Sequence, residues 1–162
     1  MTHQSANMRT TRRKVLAGAV GALAASALQV TVRPAHATPE EMQAAIAKVI
    51  GDAKLNHGKV ALDIPPLVEN GNSLPCSVTV ESPMTPTDYC KAIHIFNEKN
   101  PQPNVISAHL TPRSGRASFA TRIRLSDSQN VVAIAEMSDG SFWLEQVNVI
   151  VTIGACLEDV AI

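Results

Sequence analysis

Apolar residues are arranged in three ways along this chain. From Ala17 to Ala27 they form a run of Ala, Gly, Val and Leu, interrupted only by Ser26. Met42, Ala45, Ile46 and Val49 then recur at three- and four-residue steps, with Ile50 beside them, which is the spacing of one helix face. Thr38-Pro39-Glu40-Glu41 stands just before. Thr38 can accept from the amide of Glu41 while Glu41 reaches back, and Pro39 suits a first helical position where no donor is needed. One amphipathic helix is predicted, ending near Gly51 to Lys54.

Beyond it the pattern changes to short runs with strand character: Val60–Ile64, Leu74–Glu81, Lys91–Phe96, Val105–Leu110, Ala117–Arg124, Val131–Met137 and Phe142–Ile153. Turn residues separate them, at Asn70-Gly71-Asn72, Ser82-Pro83, Asn100-Pro101, Ser114-Gly115, Ser126-Asp127 and Asp139-Gly140. Asp-Gly between two apolar runs is the strongest local hairpin signal. The predicted fold class is all-β: an immunoglobulin-like antiparallel β-sandwich of about seven strands with one N-terminal helix. An open barrel is the alternative.

The continuous run at the start belongs to a different kind of segment. No acidic residue precedes Glu40, and Arg9, Arg12, Arg13 and Lys14 form a basic n-region. Ala35-His36-Ala37 places small residues where a signal peptidase reads. The features together describe a removable export signal, too short and too weakly flanked for a membrane span. Thr11-Arg12-Arg13-Lys14-Val15-Leu16 fits the twin-arginine type, in which Arg12 and Arg13 are read by a receptor. The expected division is therefore a signal peptide over residues 1–37 and one domain over residues 38–162, delivered to the periplasm.

That division changes the charge. The chain has 14 Lys and Arg and 14 Asp and Glu, a formal net charge of +0. Five basic residues (Arg9, Arg12, Arg13, Lys14 and Arg33) precede Thr38, whereas every acidic one follows it. The 9 remaining basic residues against 14 acidic ones leave the domain at −5. An acidic domain with dispersed arginines lacks the concentrated basic face that nucleic acid requires. No second apolar run is long enough to anchor the chain in a bilayer.

Three cysteines remain as candidate chemistry. Cys76 alternates with Val78 and Val80, and Cys90 opens the next strand. A disulfide between them would suit an oxidising compartment, but a hairpin centred near Thr85 would set Cys76 opposite about Ile95, too far from Cys90, which favours buried free thiols over a bridge. Cys156 follows the last strand and Gly154-Ala155. It reads either as a reactive thiol on a chain end or as a buried cysteine beside an edge strand. His57, His94 and His109 show no ligand spacing, and nothing after Cys156 supplies the His and Met of a cupredoxin copper site. No metal or cofactor is expected. Arg122 and Arg124 share a strand face that suits an anion, a cross-strand pair or solvent. There is no nucleophile-elbow serine and no glycine-rich phosphate loop.

Several stretches, in order, resemble the SoxY family of sulfur-oxidation carrier proteins. They are Ile64-Pro65 to Glu69-Asn70-Gly71-Asn72, Leu74-Pro75, Ser82-Pro83-Met84, Ile93-His94-Ile95-Phe96 and Asn100-Pro101-Gln102-Pro103. Thr121-Arg122-Ile123-Arg124-Leu125, Gln129 with Val131-Val132-Ala133, and Ser138-Asp139-Gly140-Ser141-Phe142-Trp143 complete the set. The resemblance implies a sandwich with a C-terminal arm whose cysteine, here Cys156, holds sulfur intermediates covalently, and Gly154 as a residue of arm flexibility. It implies a carrier and not an enzyme, in a heterodimer with a SoxZ-like subunit. The partner enzymes implied are the haem enzyme SoxAX, the hydrolase SoxB and a SoxCD-type oxidase of the remaining sulfur.

The C-terminal end departs from the family's Gly-Gly-Cys-Gly-Gly pattern. It reads Gly154-Ala155-Cys156-Leu157-Glu158-Asp159, with one glycine before the cysteine and none after. Ala155 restricts backbone freedom. Glu158 and Asp159 disfavour a thiolate and repel thiosulfate. Three roles fit this end: a carrier with altered enzyme partners, a carrier of a different sulfur species, or a paralogue acting as a non-carrier interaction module.

Overall fold

The computed structural model describes residues 37–155, all within the compact unit Pro34–Ile162. The expected signal peptide, including Arg12 and Arg13, lies outside the described residues, and so does Cys156.

The capping residues act as their chemistry requires. Helix α1 spans Pro39–Ile50. The Thr38 hydroxyl accepts from the Glu41 amide at 3.2 Å, and the Glu41 carboxylate accepts from the Thr38 amide at 3.1 Å. At the other end the Gly51 amide donates to the Ala47 carbonyl. The helix buries Met42 and Ile46 against Phe96, Val132, Ile134 and Phe142. These lie on one face of a sheet, so α1 covers part of that face and removes apolar surface from water on both sides.

Nine strands follow: β1 (Leu55–His57), β2 (Val60–Asp63), β3 (Leu67–Asn70), β4 (Leu74–Val80), β5 (Cys90–Asn97), β6 (Asn104–His109), β7 (Ser118–Ile123), β8 (Gln129–Met137) and β9 (Phe142–Ile153). The larger sheet runs β1-β9-β8-β5-β6, with β3 also on β9; the smaller runs β2-β4-β7. Seven of the strands coincide with the sequence expectation to within two residues at each end. The Asp139-Gly140 turn joins β8 to β9, with Met137 and Ser141 bonded across it at 2.9 Å.

Two departures from the expectation have plain causes. Strands β1 and β3 are additional, and both pair with β9 in parallel, so the sandwich is not wholly antiparallel. Each is short and lacks alternating burial, so neither leaves a period-two trace. The β4–β5 hairpin around Thr85, against which a Cys76–Cys90 bridge was weighed, does not form. Strand β4 pairs with β2 and β7 in one sheet, and β5 pairs with β6 and β8 in the other. The connecting loop crosses between layers, with Met84 at φ 52 and the Ser82 hydroxyl accepting from the amides of Met84 and Cys90.

The core lies between the sheets. Val60, Leu62, Leu74, Cys76, Val78 and Val80 meet Ile93, Ile95, Val131, Ala133, Ala135, Val149 and Val151. Alternation on β4 and continuous burial on β8 follow from position. The outer face of β4 is solvated, whereas β8 is covered by the core on one side and by α1 on the other.

Candidate functional site

The segment leading to Cys156 is tied to the body by backbone bonds. Strand β9 ends at Ile153, whose carbonyl accepts from the Gly71 amide at 2.8 Å. The Gly71 carbonyl accepts from the Leu125 amide at 2.9 Å, and the Leu125 carbonyl accepts from the Ala155 amide at 2.8 Å. Three strand ends are thereby joined: the turn after β3, the segment after β7 and the end of β9. The approach is so close that side chains cannot intervene. A Cβ on Gly71 would lie 2.2 Å from the Leu125 carbonyl oxygen, and one on Gly154 would lie 2.0 Å from the Ser126 carbonyl oxygen. Ala155 is 2 % exposed.

Side chains brace the same junction. The Ser128 hydroxyl accepts from the Val151 amide at 2.9 Å. Asn100 donates to the Arg124 carbonyl at 2.8 Å and accepts from the Ser126 amide at 3.0 Å and from Gln129 at 3.1 Å. Buried Gln129 also accepts from the Lys99 amide at 2.7 Å and donates to the Asp127 carbonyl at 3.0 Å. Lys99 and Asp127 pair at 2.7 Å on the surface, and that hydrogen bond, with a second from the Ser128 amide, holds the Asp127 carboxyl below its ordinary range. The chain is therefore held to the body as far as Ala155, and Gly154 is a residue of close approach.

The other sequence candidates fall elsewhere. Cys76 and Cys90 are buried and unbridged, as expected, but the reason is that they stand in opposite sheets. Burial, with Asp63 nearby, pushes the Cys76 thiol up to about 11. Burial likewise raises Cys90 to about 11, only partly offset by hydrogen bonding with the Ala92 backbone. Neither is poised to react. His94 and His109, which show no ligand spacing in the sequence, are brought together across β5 and β6 with ring centroids 6.2 Å apart. His94 Nδ1 lies 2.8 Å from the Ser107 hydroxyl, and Nε2 is buried without a protein partner. Burial, then the neighbouring His109, lowers the His94 pKa. Among the described residues no group of three or more His, Cys, Asp or Glu side chains is arranged to hold a metal ion. No helix among them is long and apolar enough to cross a membrane.

Arg122 and Arg124 lie on one face of the strand end, as their spacing predicts, and both are exposed. Arg122 donates from Nε to the Ser73 hydroxyl at 2.7 Å and from a terminal nitrogen to the Ser73 carbonyl at 3.1 Å. The two arginines line an open depression of ≈ 530 Å³ with Asn100, Pro101, Gln102, Val105 and Ile123.

Comparison with solved structures agrees with this arrangement. The sulfur carrier protein SoxY from Chlorobium limicola f thiosulfatophilum superposes with a TM-score of 0.59 at 25% identity, over 70% of this chain and 98% of that one. Two superoxide reductases share the fold alone. The neelaredoxin from Ignicoccus hospitalis gives a TM-score of 0.53 at 16% identity, over 71% of this chain and 94% of that one. A putative superoxide reductase from Thermotoga maritima gives 0.51 at 16%, over 61% and 93%. No curated protein sequence matches the chain. The sequence model of the sulfur oxidation protein SoxY matches residues 46–156, from the middle of α1 through the docked exit to Cys156 itself, and the chain belongs to that family.

Proposed function

We propose that the chain is a periplasmic carrier of the SoxYZ type that holds sulfur intermediates covalently on Cys156 during thiosulfate oxidation. The observation that carries this reading is the family match running up to Cys156, together with a fold that anchors the residue before it. The first step joins thiol and thiosulfate with loss of two electrons and a proton: RSH + S₂O₃²⁻ gives RS–S–SO₃⁻. A SoxAX-type haem enzyme is the electron acceptor. Water then cleaves the terminal S–S bond under a SoxB-type hydrolase, releasing sulfate and leaving RS–S⁻, which a SoxCD-type enzyme oxidises. A thiol suits this work because its S–S bonds form and break reversibly. The carrier supplies the attachment point and its partners supply catalysis. A SoxZ-like subunit completes the heterodimer, and Arg12 and Arg13 direct export.

Intact-mass measurement on protein from thiosulfate-grown cells tests the proposal. Sulfur or thiosulfonate adducts are expected on the wild type and none on Cys156→Ser. Adducts that persist in the variant would sink it.

One observation favours a second reading, a non-carrier interaction module. Leu67, Ile150 and Ile153 are 66%, 54% and 58% exposed, and Leu67 stands directly beside Ile150 in register. Such side chains suit a partner's surface whether or not cargo is carried. In that case Cys156→Ser leaves growth on thiosulfate unchanged while deletion of the protein abolishes it.

A further inference from the structure

Charge is distributed along the chain in a way that the net value hides. All 14 Asp and Glu residues lie outside the stretch from Lys99 to Ser126, which holds Lys99, Arg113, Arg116, Arg122 and Arg124. In the fold this acid-free stretch forms one side of the sandwich. It contains β6, the last strand of the larger sheet, and β7, the last strand of the smaller one. Val105 of β6 and Ile123 of β7 line the same depression with Arg122 and Arg124, so the two edges lie beside each other. The short helical turn Pro112–Ser114 joins them and carries Arg113. Arginines therefore flank β6 at both ends: Arg122 and Arg124 across the depression from Val105, Arg113 and Arg116 after His109. All four are exposed, and among the described residues none is in an ion pair. Carboxylates on the adjoining strands and loops are already engaged, Glu136 by Lys91, Asp127 by Lys99 and Glu98 by Asn130.

Strand β6 is an open edge. The Leu110 amide donates to the Lys91 carbonyl at 2.8 Å, and Ala108 and Ile106 stand opposite Ile93 and Ile95 in the same register. Antiparallel pairing turns alternate residues towards the neighbouring strand. Leu110, Ala108 and Ile106 thus face β5, whereas Ser107 and His109 direct their amides and carbonyls outward, beyond the end of the sheet order. The irregularity of register falls at Phe96, before this part, and leaves Ile106 to His109 regular. Edges of this kind are commonly blunted by lysine, proline or another charge. Strand β6 reads Asn-Val-Ile-Ser-Ala-His and has none of these. Ser107 and His109 are exposed, and Ile106 and Ala108 half-buried.

We infer that β6 accepts an extended acidic segment of a partner protein as a further strand, with the arginines at its two ends pairing carboxylates of that segment. Main-chain bonds to Ser107 and His109 supply the attachment, and the arginines supply selection and orientation. Charge decides the occupant. Two copies of β6 paired about a twofold axis would set Arg113 and Arg116 of one against Arg122 and Arg124 of the other, like against like. An acidic segment meets the opposite sign at both ends, while residues 38–162 as a whole carry −5 and disfavour it elsewhere. The surface needs no cargo on Cys156, so it stands or falls apart from the carrier reading.

A capped peptide, Glu-Glu-Thr-Val-Thr-Val-Thr-Glu-Glu, serves as the probe at low ionic strength, with hydrogen exchange followed by NMR. At a concentration ten times its Kd, the Ser107 and His109 amides should gain protection of about tenfold. The same peptide with lysine for glutamate should not bind. Absence of binding by the acidic peptide, or protection that leaves out Ser107 and His109, overturns the proposal. Strand addition is tested on the peptide itself, which spares the protein's fold. Methylating the Val amides and methylating the Thr amides remove alternate sets of donors; one set should abolish binding and the other leave it, and equal effects of the two overturn strand addition. Arg113→Gln, Arg116→Gln and Arg124→Gln should each weaken binding by about 2–5-fold, the range of an exposed ion pair, and less at high salt. Lys48→Gln, an equal change of net charge on the exposed side of α1, should leave it unchanged. An equal loss with Lys48→Gln would overturn the role of the arginines. Equal or tighter binding of an oligothymidylate of the same charge would overturn the acidic segment in favour of a general polyanion surface.

Discussion

Replacing Gly154 with alanine separates two opposite accounts of the glycine shortly before the C-terminal cysteine. A glycine that serves only as a flexible joint gains from alanine. The unfolded chain loses freedom, and stability rises by about 0.4–1 kcal/mol. The structure predicts the reverse sign. The backbone of Gly154 is outside the left-handed region, unlike that of Gly51, Gly58, Gly115 and Gly140, so alanine meets no torsional penalty. Its Cβ would instead sit 2.0 Å from the Ser126 carbonyl oxygen and 2.9 Å from the carbonyl carbon. These are backbone atoms, further fixed by the Asn100 and Lys99 contacts of Ser126, and cannot swing aside as a side chain would. Overpacking of this kind costs about 1–3 kcal/mol. If the exit detaches instead, the bond from Ala155 to Leu125 goes with it, about 1 kcal/mol more. Gly154→Ala should therefore unfold at lower denaturant with an unchanged m-value, or keep its midpoint while the Ala155 amide loses hydrogen-exchange protection. Urea titration and exchange NMR report both. An alanine variant with equal or greater stability and a protected Ala155 amide would refute the docked exit.

Three further outcomes follow from the packing. Thr38→Ala removes half of the capping box and should cost about 0.5–2 kcal/mol, read by urea denaturation, with the loss reversed by Thr38→Ser. At pH 8 about one in a thousand of the Cys76 and Cys90 thiols is ionised, given values near 11, so native protein should protect both from iodoacetamide while denatured protein does not. Mass spectrometry of the peptides decides, and rapid native labelling of either would contradict their burial. His94 is held below its ordinary pKa, so below about pH 6.5 the unfolded chain binds the proton more readily than the folded one. Stability should fall as pH drops from 6.5 towards 5, and His94→Gln should flatten that slope.

The parts of the fold visible in the sequence were those set by local chemistry. Thr38, Pro39 and Glu41 announce the helix start because each satisfies a donor within its own turn or needs none. Asp139-Gly140 announces the β8–β9 turn. Strand β3 stayed hidden because its pairing is with residues about eighty positions later, and Leu67 is exposed rather than alternating into the core. The neighbours of β4 stay open in the sequence for a related reason. Its buried face is the same whichever strand lies beside it, so periodicity fixes the face and leaves the neighbour open. His94 and His109 meet only through the β5–β6 register. Gly154 shows the same limit at the site: a glycine can mean freedom or contact, and only the Ser126 carbonyl distinguishes them. Arg122 and Arg124 were legible as a shared face, whereas the bonds of Arg122 to Ser73 depend on the β4–β7 register.

Strand β9 holds β8 along one side, and β1 and β3 at the two ends of the other. In the order of synthesis this makes the last strand the keystone. A nascent chain that has released everything up to Met137 still has two N-terminal strands without a partner and a core open at Val149 and Val151. Closure waits until residue 155 clears the ribosome and docks on Leu125. The stretch that carries Cys156 is thus also the stretch whose arrival completes the fold, so a truncated chain would present an unfinished sheet to quality control rather than a sandwich lacking its thiol.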